Sequence, residues 1–150
     1  HLGLPFFDLD QQIIKTTALT IPELFAQGES GFRLFEQQEL ARLIDHQHHN
    51  AIIATGGGTP CFHDNLRLMK ASGKIIFLNP PLSVIVQRIQ NSAGERPLLH
   101  SNDPNLESSL QNLYQERAPI YLQADLVIDP LNISPENFAR QLKENFLNNS

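Results

Sequence analysis

The chain has 150 residues, with 16 acidic and 11 basic side chains and a formal net charge of −5. This length supports one domain around one core, and the mildly acidic balance argues against a surface that neutralises nucleic acid or anionic lipid, so we predict a small-molecule partner. The single cysteine, Cys61, cannot form an internal disulfide, and no apolar run could span a membrane, so we expect a soluble, cytoplasmic protein.

The first residues, from His1 to Pro5, have the pattern of a helix end followed by entry into a strand. Gly3 suits the left-handed position just after a helix, and Pro5 suits the exit into extended chain. We therefore expect that a helix precedes His1 in the natural protein.

Four short apolar runs alternate with segments of helical periodicity, which predicts an α/β fold with a parallel sheet. The runs are apolar on successive residues, as in strands that are covered on both faces. They extend from Pro5 to Phe7, Ala51 to Ala54, Lys74 to Leu78 and Leu126 to Ile128.

Helices are predicted between and after these runs. A first helix has apolar residues at helical spacing that we expect to face the sheet. These residues are Phe32, Phe35, Leu40, Leu43 and Ile44. Further helices are predicted over residues 82–90 and 106–122, the second bent or broken near Pro119. Ser134 as N-cap and Pro135 at the first helical position open a last helix that reaches Phe146.

Residues 91–105 depart from this alternation, because they are polar and rich in Ser, Asn, Asp and Pro. Long irregular segments in compact domains are often lids over active sites, although a plain surface loop is the alternative. Arg96 lies inside this segment, and a lid arginine can bring positive charge to a transferring phosphoryl group. We therefore predict a lid around residues 91–105.

Asp8 and Asp10 stand at the C-terminal end of the first predicted strand, the edge where open parallel sheets bind ligands. Residues two apart on a strand point the same way, so the two carboxylates are expected to share one cleft. One would lie near a metal ion and the other on a substrate hydroxyl. The alternative is a solvated strand end in which Asp forms a turn.

Arg33 and Glu36 lie three residues apart on the first predicted helix and therefore on one face of it. An ion pair of this kind orients the guanidinium, which then grips a carboxylate through two hydrogen bonds. An ordinary surface pair is the alternative.

Three consecutive glycines, Gly56 to Gly58, follow the second apolar run directly. A tight turn usually needs fewer glycines, so we predict that a ligand approaches this backbone and uses its N–H groups. Arg117, next to Glu116, is a weaker signal when taken alone.

Taken in order, five motifs resemble those of the shikimate kinases, which are P-loop small-metabolite kinases, and the match spans nearly the whole chain. The motifs are Phe7-Asp8-Leu9-Asp10, Gly28-Glu29 leading to Phe32-Arg33 and Glu36, Thr55-Gly56-Gly57-Gly58, Arg96-Pro97-Leu98-Leu99, and Arg117-Ala118-Pro119-Ile120-Tyr121. The resemblance implies an α/β fold with a three-layer parallel sheet of the nucleoside monophosphate kinase type. It also implies a monomer that uses ATP and Mg²⁺ to phosphorylate the 3-hydroxyl of shikimate, on the route to chorismate and aromatic amino acids.

The resemblance implies a shikimate site made of matching positions. Asp10 would bind shikimate hydroxyls and help to deprotonate the attacking one. Arg33, fixed by Glu36, and Arg117 would hold the shikimate carboxylate, and Gly57 would offer its backbone N–H.

The resemblance implies a nucleotide site as well. Asp8 would lie near Mg²⁺, through water, and Arg96 would close over ATP. Arg88 is near the position of an adenine-stacking arginine, but its spacing to Arg96 is one residue longer than in relatives.

The chain departs from the family in one large respect. Shikimate kinases open with a strand, a Gly-x-x-Gly-x-Gly-Lys-Ser/Thr loop and a helix, and none of these occurs in the 150 residues. We expect truncation to explain this better than natural loss, and we expect the 150 residues alone to be inactive. The alternatives are another P-loop kinase such as a gluconate kinase, against which Arg33, Gly57 and Arg117 argue, or a non-catalytic relative that binds shikimate.

Overall fold

The computed structural model describes residues 2–46, 51–91 and 104–147. Within these ranges four strands form two parallel pairs rather than one continuous sheet. Strand β1 (Phe6–Asp8) pairs with β2 (Ile52–Ala54), and β3 (Ile76–Leu78) pairs with β4 (Leu126–Ile128). The predicted α/β fold with parallel strands is confirmed, and each strand lies within two residues of its predicted bounds.

Seven α-helices are present in the described ranges. They are α1 (Leu9–Thr17), α2 (Ile21–Ala26), α3 (Glu29–His46), α4 (Asn65–Ser72), α5 (Leu82–Gln90), α6 (Leu106–Tyr121) and α7 (Pro135–Leu142). A 3₁₀ turn (Thr59–Cys61) precedes α4, and a π-helical turn (Lys143–Leu147) follows α7. None of the helices in these ranges has the length and apolar character needed to cross a membrane.

The sequence predictions for the second half of the chain are largely confirmed. Helix α5 has the predicted bounds, and Ser134 caps α7 by accepting a hydrogen bond from the backbone N–H of Asn137 at 3.2 Å. Helix α6 continues through Pro119 to Tyr121, so the predicted break there is wrong, and the predicted bend stays a prediction. Because Pro119 lies in the last turn, it removes one hydrogen bond near the helix end and leaves the rest intact.

Three short helices were not predicted, although two of them carry capping signals. Helix α1 starts directly after β1 because the Asp8 carboxylate accepts a hydrogen bond from the N–H of Gln11 at 3.2 Å. Helix α2 opens with a capping box in which Thr20 and Glu23 bond each other's backbone N–H groups. Gly3 has a φ of +68°, in the left-handed region that the sequence predicts for it.

The main core lies where α1, α2 and α3 pack together, with Phe7 and Ile53 of the first strand pair against it. Its fully buried members are Leu9, Ile13, Leu24, Phe32, Leu40 and Leu43. The predicted apolar face of α3 is therefore correct except at Phe35, which is 42% exposed. The same buried face of α3 carries Arg33 and Glu36, so two charged side chains lie on the core side of this helix.

The contrast between Leu40 and Phe35 provides a test of this packing. Leu40→Ala should lower the free energy of unfolding by about 2 to 5 kcal/mol, because it removes buried methyl groups and leaves a cavity. Phe35→Ala on the same helix should cost less than about 1 kcal/mol, because its ring is partly in water. Urea unfolding of both variants measures the difference, and equal costs would contradict the assigned face of α3.

Candidate functional site

The buried guanidinium of Arg33 is the centre of the candidate site. Its Nε and Nη2 atoms donate to Oε1 of Glu29 at 3.2 and 3.0 Å, and Nη1 donates to Oε2 of Glu36 at 2.9 Å. Arg33 is 5% exposed and Glu36 is 1% exposed. The alternative of an ordinary surface pair is therefore wrong, and the pair is an internal one.

Aromatic rings and a glycine enclose this guanidinium. The centroid of the Phe62 ring lies 4.1 Å from Cζ of Arg33, and the rings of Phe25 and Phe32 lie at 5.4 and 5.2 Å. A Cβ atom built on Gly58 would lie 2.6 Å from Nη1 and 2.9 Å from Nη2 of Arg33. The guanidinium thus fills the space that a side chain at position 58 would need.

The second oxygen of Glu36 is held from the loop that follows β2. The Thr59 hydroxyl donates to Oε1 of Glu36 at 2.7 Å, and the Asn65 side-chain amide donates to the Thr59 carbonyl at 2.9 Å. Glu36 is thereby fixed from two sides, and it fixes Arg33 in turn. The buried Oδ1 of Asn65 has no hydrogen-bond partner among the described residues.

Arg33 keeps hydrogen-bonding capacity for a ligand. A guanidinium has five N–H groups, and the bonds to Glu29 and Glu36 use one each on Nε, Nη2 and Nη1. Within the described ranges, one N–H remains on each terminal nitrogen. Two such groups are what a carboxylate needs for bidentate binding.

The glycine loop lies beside Arg33. The Gly56 and Gly58 carbonyls accept hydrogen bonds from the N–H groups of Thr59 and Cys61, at 3.1 and 2.9 Å. The Gly57 carbonyl instead accepts from the Tyr121 hydroxyl at 2.7 Å. Gly57 itself is exposed, and its N–H has no acceptor among the described residues, so a ligand can reach it.

Arg117 reaches the same region from α6. Burial raises the pKa of the Cys61 thiol, and the positive charges of Arg117 and Arg33 oppose that rise. Both guanidinium groups therefore act on one point beside the glycine loop. The predicted residues Arg33, Gly57 and Arg117 lie on three separate segments; Gly57 contacts Cys61, and the charges of both arginines act on that cysteine.

Asp8 and Asp10 lie at the start of α1, and the reasoning that placed both on a strand is wrong. Asp8 ends β1 and caps α1, whereas Asp10 lies in the first turn of the helix. Partial burial raises the pKa of Asp10, the negative charges of Asp8 and Glu36 add to the rise, and Arg33 opposes it. The charges of Asp8 and of the Arg33 cluster thus both act on Asp10.

Three residues were predicted to contact nucleotide or metal, namely Arg96, Arg88 and Asp8. Arg96 and most of the predicted lid lie outside the described residues, and Arg88 is exposed in the last turn of α5. The described ranges contain no group of three acidic, histidine or cysteine side chains that could hold a metal ion. The Asp8 carboxylate uses Oδ1 as the α1 cap, and its Oδ2 has no hydrogen-bond partner among the described residues.

Several residues with contacts to the site received no role from the sequence. Glu29 stands four residues before Arg33, a spacing that predicts an ion pair on a helix. No comparable signal exists for Thr59 and Tyr121, and the glycine triplet predicted a ligand contact rather than the approach of Gly58 to Arg33. The hydrogen-bond partners of Thr59 and Tyr121 lie 23 or more residues away along the chain. Position 58 needs a glycine because Arg33 approaches it closely, and this is a tertiary contact.

The glycine loop offers a matched pair of substitutions. Gly58→Ala should destabilise the protein by about 1 to 3 kcal/mol, because the new methyl group collides with the guanidinium of Arg33. Gly56→Ala should be tolerated better, since its Cβ would meet neighbouring atoms at ordinary distances of 3.7 and 3.8 Å. Thermal unfolding of both variants tests the close approach, which is refuted if Gly56→Ala is the more damaging.

Comparison with known proteins gives a consistent result. The shikimate kinase family model matches residues 1–146. A shikimate kinase of Bacteroides thetaiotaomicron is 37% identical over 130 residues, which are 85% of this chain and 73% of that protein. A shikimate kinase of Halorhodospira halophila is 37% identical over 145 residues, which are 95% of this chain and 79% of that protein.

Solved structures agree with these sequences. The crystal structure of the Bacteroides thetaiotaomicron shikimate kinase superposes with a TM-score of 0.82 and 32% identity, covering 95% of this chain and 84% of that one. Shikimate kinase from Acinetobacter baumannii in complex with shikimate superposes with a TM-score of 0.84 and 31% identity, covering 99% of this chain and 81% of that one. On the family match and on these relatives, the chain belongs to the shikimate kinase family.

Proposed function

We propose that this protein transfers the γ-phosphoryl group of ATP to the 3-hydroxyl of shikimate, and the relatives named as shikimate kinases support phosphorylation of shikimate. The observation that carries the proposal is the buried, fully oriented Arg33 with one N–H left on each terminal nitrogen. Such a fork is suited to a planar carboxylate, and shikimate is a carboxylic acid.

In this proposal the acid end of shikimate lies among three donors. Arg33 and Arg117 bind the carboxylate, and the Gly57 N–H contributes a further hydrogen bond. Glu36 touches no substrate and acts by holding Arg33. Because the carboxylate does not change charge during the reaction, these contacts orient the substrate and do not stabilise the transition state selectively.

The hydroxyl end lies near Asp10. A raised pKa increases the proton affinity of its carboxylate, which suits a group that binds the attacking hydroxyl and draws away its proton. The phosphoryl transfer itself needs little covalent help, so positioning and charge neutralisation supply most of the rate.

The nucleotide end is proposed from the family resemblance. ATP is the family's phosphoryl donor; Arg96 would close over its phosphates and Arg88 would lie near the adenine. The free oxygen of Asp8 fits a water-mediated contact with Mg²⁺, an ion that keeps several waters and uses few carboxylates. We further propose a cytoplasmic monomer.

The test compares the 150 residues with a fusion in which the N-terminal segment of the Bacteroides thetaiotaomicron relative, including its phosphate loop, precedes His1. With shikimate and ATP, the fusion should turn over at roughly 1 to 100 per second, and the 150 residues should be nearly inactive. Calorimetric titration of both proteins with shikimate and with gluconate should give selective binding of shikimate.

Two outcomes favour the alternatives. A folded fusion that binds shikimate and transfers no phosphate would indicate a non-catalytic relative. Equal affinity for shikimate and gluconate would indicate a different acid substrate.

Asp10→Asn should lower the activity of the protein and raise its stability at pH 7. In the fusion, kcat should fall by about 10² or more, because the base is lost. At pH 7 the variant should melt at a higher temperature, because a raised pKa means that folding disfavours the ionised Asp10.

The difference in melting temperature between Asp10→Asn and the unmodified protein should depend on pH. The cost of ionised Asp10 is present above its folded-state pKa and disappears as pH falls below the ordinary pKa of the aspartate carboxyl, so the melting difference should shrink towards pH 4. Asp45→Asn, at an exposed position at the end of α3, serves as control and should change neither kcat nor the melting temperature appreciably. An Asp10→Asn variant that is less stable at pH 7 would contradict the assigned electrostatics.

A further inference from the structure

We propose that Tyr121 is a positioning residue of the acid site, whose hydroxyl fixes the peptide between Gly57 and Gly58 and so aims the glycine loop at the substrate carboxylate. This inference rests on the proposed function. Tyr121 itself need not touch the substrate.

The first support is the bond from the Tyr121 hydroxyl to the Gly57 carbonyl, which is 2.7 Å long and joins residues 64 positions apart. The phenol ring packs on Phe77 of β3 with centroids 4.8 Å apart. Tyr121 therefore ties the end of α6 to the glycine loop while its ring is held against β3.

The second support is the geometry of a peptide group. The described chain has no cis peptide bonds, and in a trans peptide the carbonyl of one residue and the N–H of the next point in opposite directions. Holding the Gly57 carbonyl towards Tyr121 thus turns the Gly58 N–H away from it. Gly58 abuts the guanidinium of Arg33, so this peptide orientation is set beside the proposed carboxylate ligand.

The third support is that this carbonyl has few other restraints. The Gly56 and Gly58 carbonyls bond within the loop's own turns, whereas the Gly57 carbonyl receives Tyr121 and a long 3.7 Å contact from the Cys61 thiol. Three glycines in a row have unusual backbone freedom, so an external donor is needed to select one peptide orientation. Among the described residues, the Tyr121 hydroxyl is the strong donor.

Tyr121 also aligns the loop with Arg117, which precedes it by one helical turn on α6. Burial raises the pKa of Tyr121, and the nearby Arg117 guanidinium opposes that rise without reversing it. The phenol therefore remains a neutral donor at physiological pH. One side chain thus ties the carbonyl of Gly57, the residue whose N–H is a proposed carboxylate ligand, to the helix that carries Arg117.

The test uses Tyr121→Phe with Tyr114→Phe as its control. Tyr114 is the other tyrosine of the chain and lies on the same helix, and among the described residues its hydroxyl has only a long 3.5 Å contact with Asn79. In the fusion protein, Tyr121→Phe should raise KM for shikimate about tenfold, as the loss of one hydrogen bond of about 1.4 kcal/mol predicts. The KM for ATP and the kcat at saturating shikimate should stay within about twofold, and Tyr114→Phe should leave all three unchanged.

A second readout needs no substrate. Amide hydrogen exchange at Thr59 and Cys61, whose N–H groups donate to the Gly56 and Gly58 carbonyls, should be faster in Tyr121→Phe than in the unmodified protein and in Tyr114→Phe. Unchanged exchange, or an unchanged KM for shikimate, would overturn the proposal. A parallel rise in both KM values together with a lower melting temperature would also overturn it, in favour of a general structural role. If the unmodified protein binds no shikimate, the proposed function fails, and the exchange measurement still decides whether Tyr121 fixes the loop.

Discussion

The burial of one guanidinium between two carboxylates is the constraint on which the rest of the site depends. Removing Arg33 from water is costly, and Glu29, Glu36 and the surrounding rings offset that cost only while each stays in place. Loss of one partner from a buried pair typically costs about 3 to 5 kcal/mol. A side chain at position 58 would collide with the buried guanidinium of Arg33. The Thr59 hydroxyl bonds Glu36 and so helps to hold that carboxylate beside the guanidinium.

This constraint is built into the same helix that forms the core. Along α3, Leu40 and Leu43 pack on α1 and α2, and the same buried face presents Arg33 and Glu36 to the loop after β2. The position of the arginine is therefore set by hydrophobic packing along the helix. A site mounted on a packed helix holds its geometry better than one mounted on a loop.

Much of the fold and part of the site could be predicted from local signals. Apolar runs located the four strands, the Ser134-Pro135 signal located α7, and helical spacing paired Arg33 with Glu36. Strand periodicity failed at Asp10 because the Asp8 cap starts a helix at Leu9, and the apolar pattern failed at Phe35 because that side chain lies off the buried face. The contacts of Gly58, Thr59 and Tyr121 join distant segments, and a single sequence contains no local pattern that reports such contacts.

The approach of Gly58 to Arg33 also restricts how this chain can evolve. A side chain at position 58 displaces the Arg33 guanidinium from its place, whereas a chain that has already lost Arg33 lacks the three atoms that lie nearest to such a side chain. The two positions are therefore epistatic, and the order of changes matters. A lineage that abandons the arginine first can afterwards fill position 58 at little cost, and that filled position then blocks the return of the arginine.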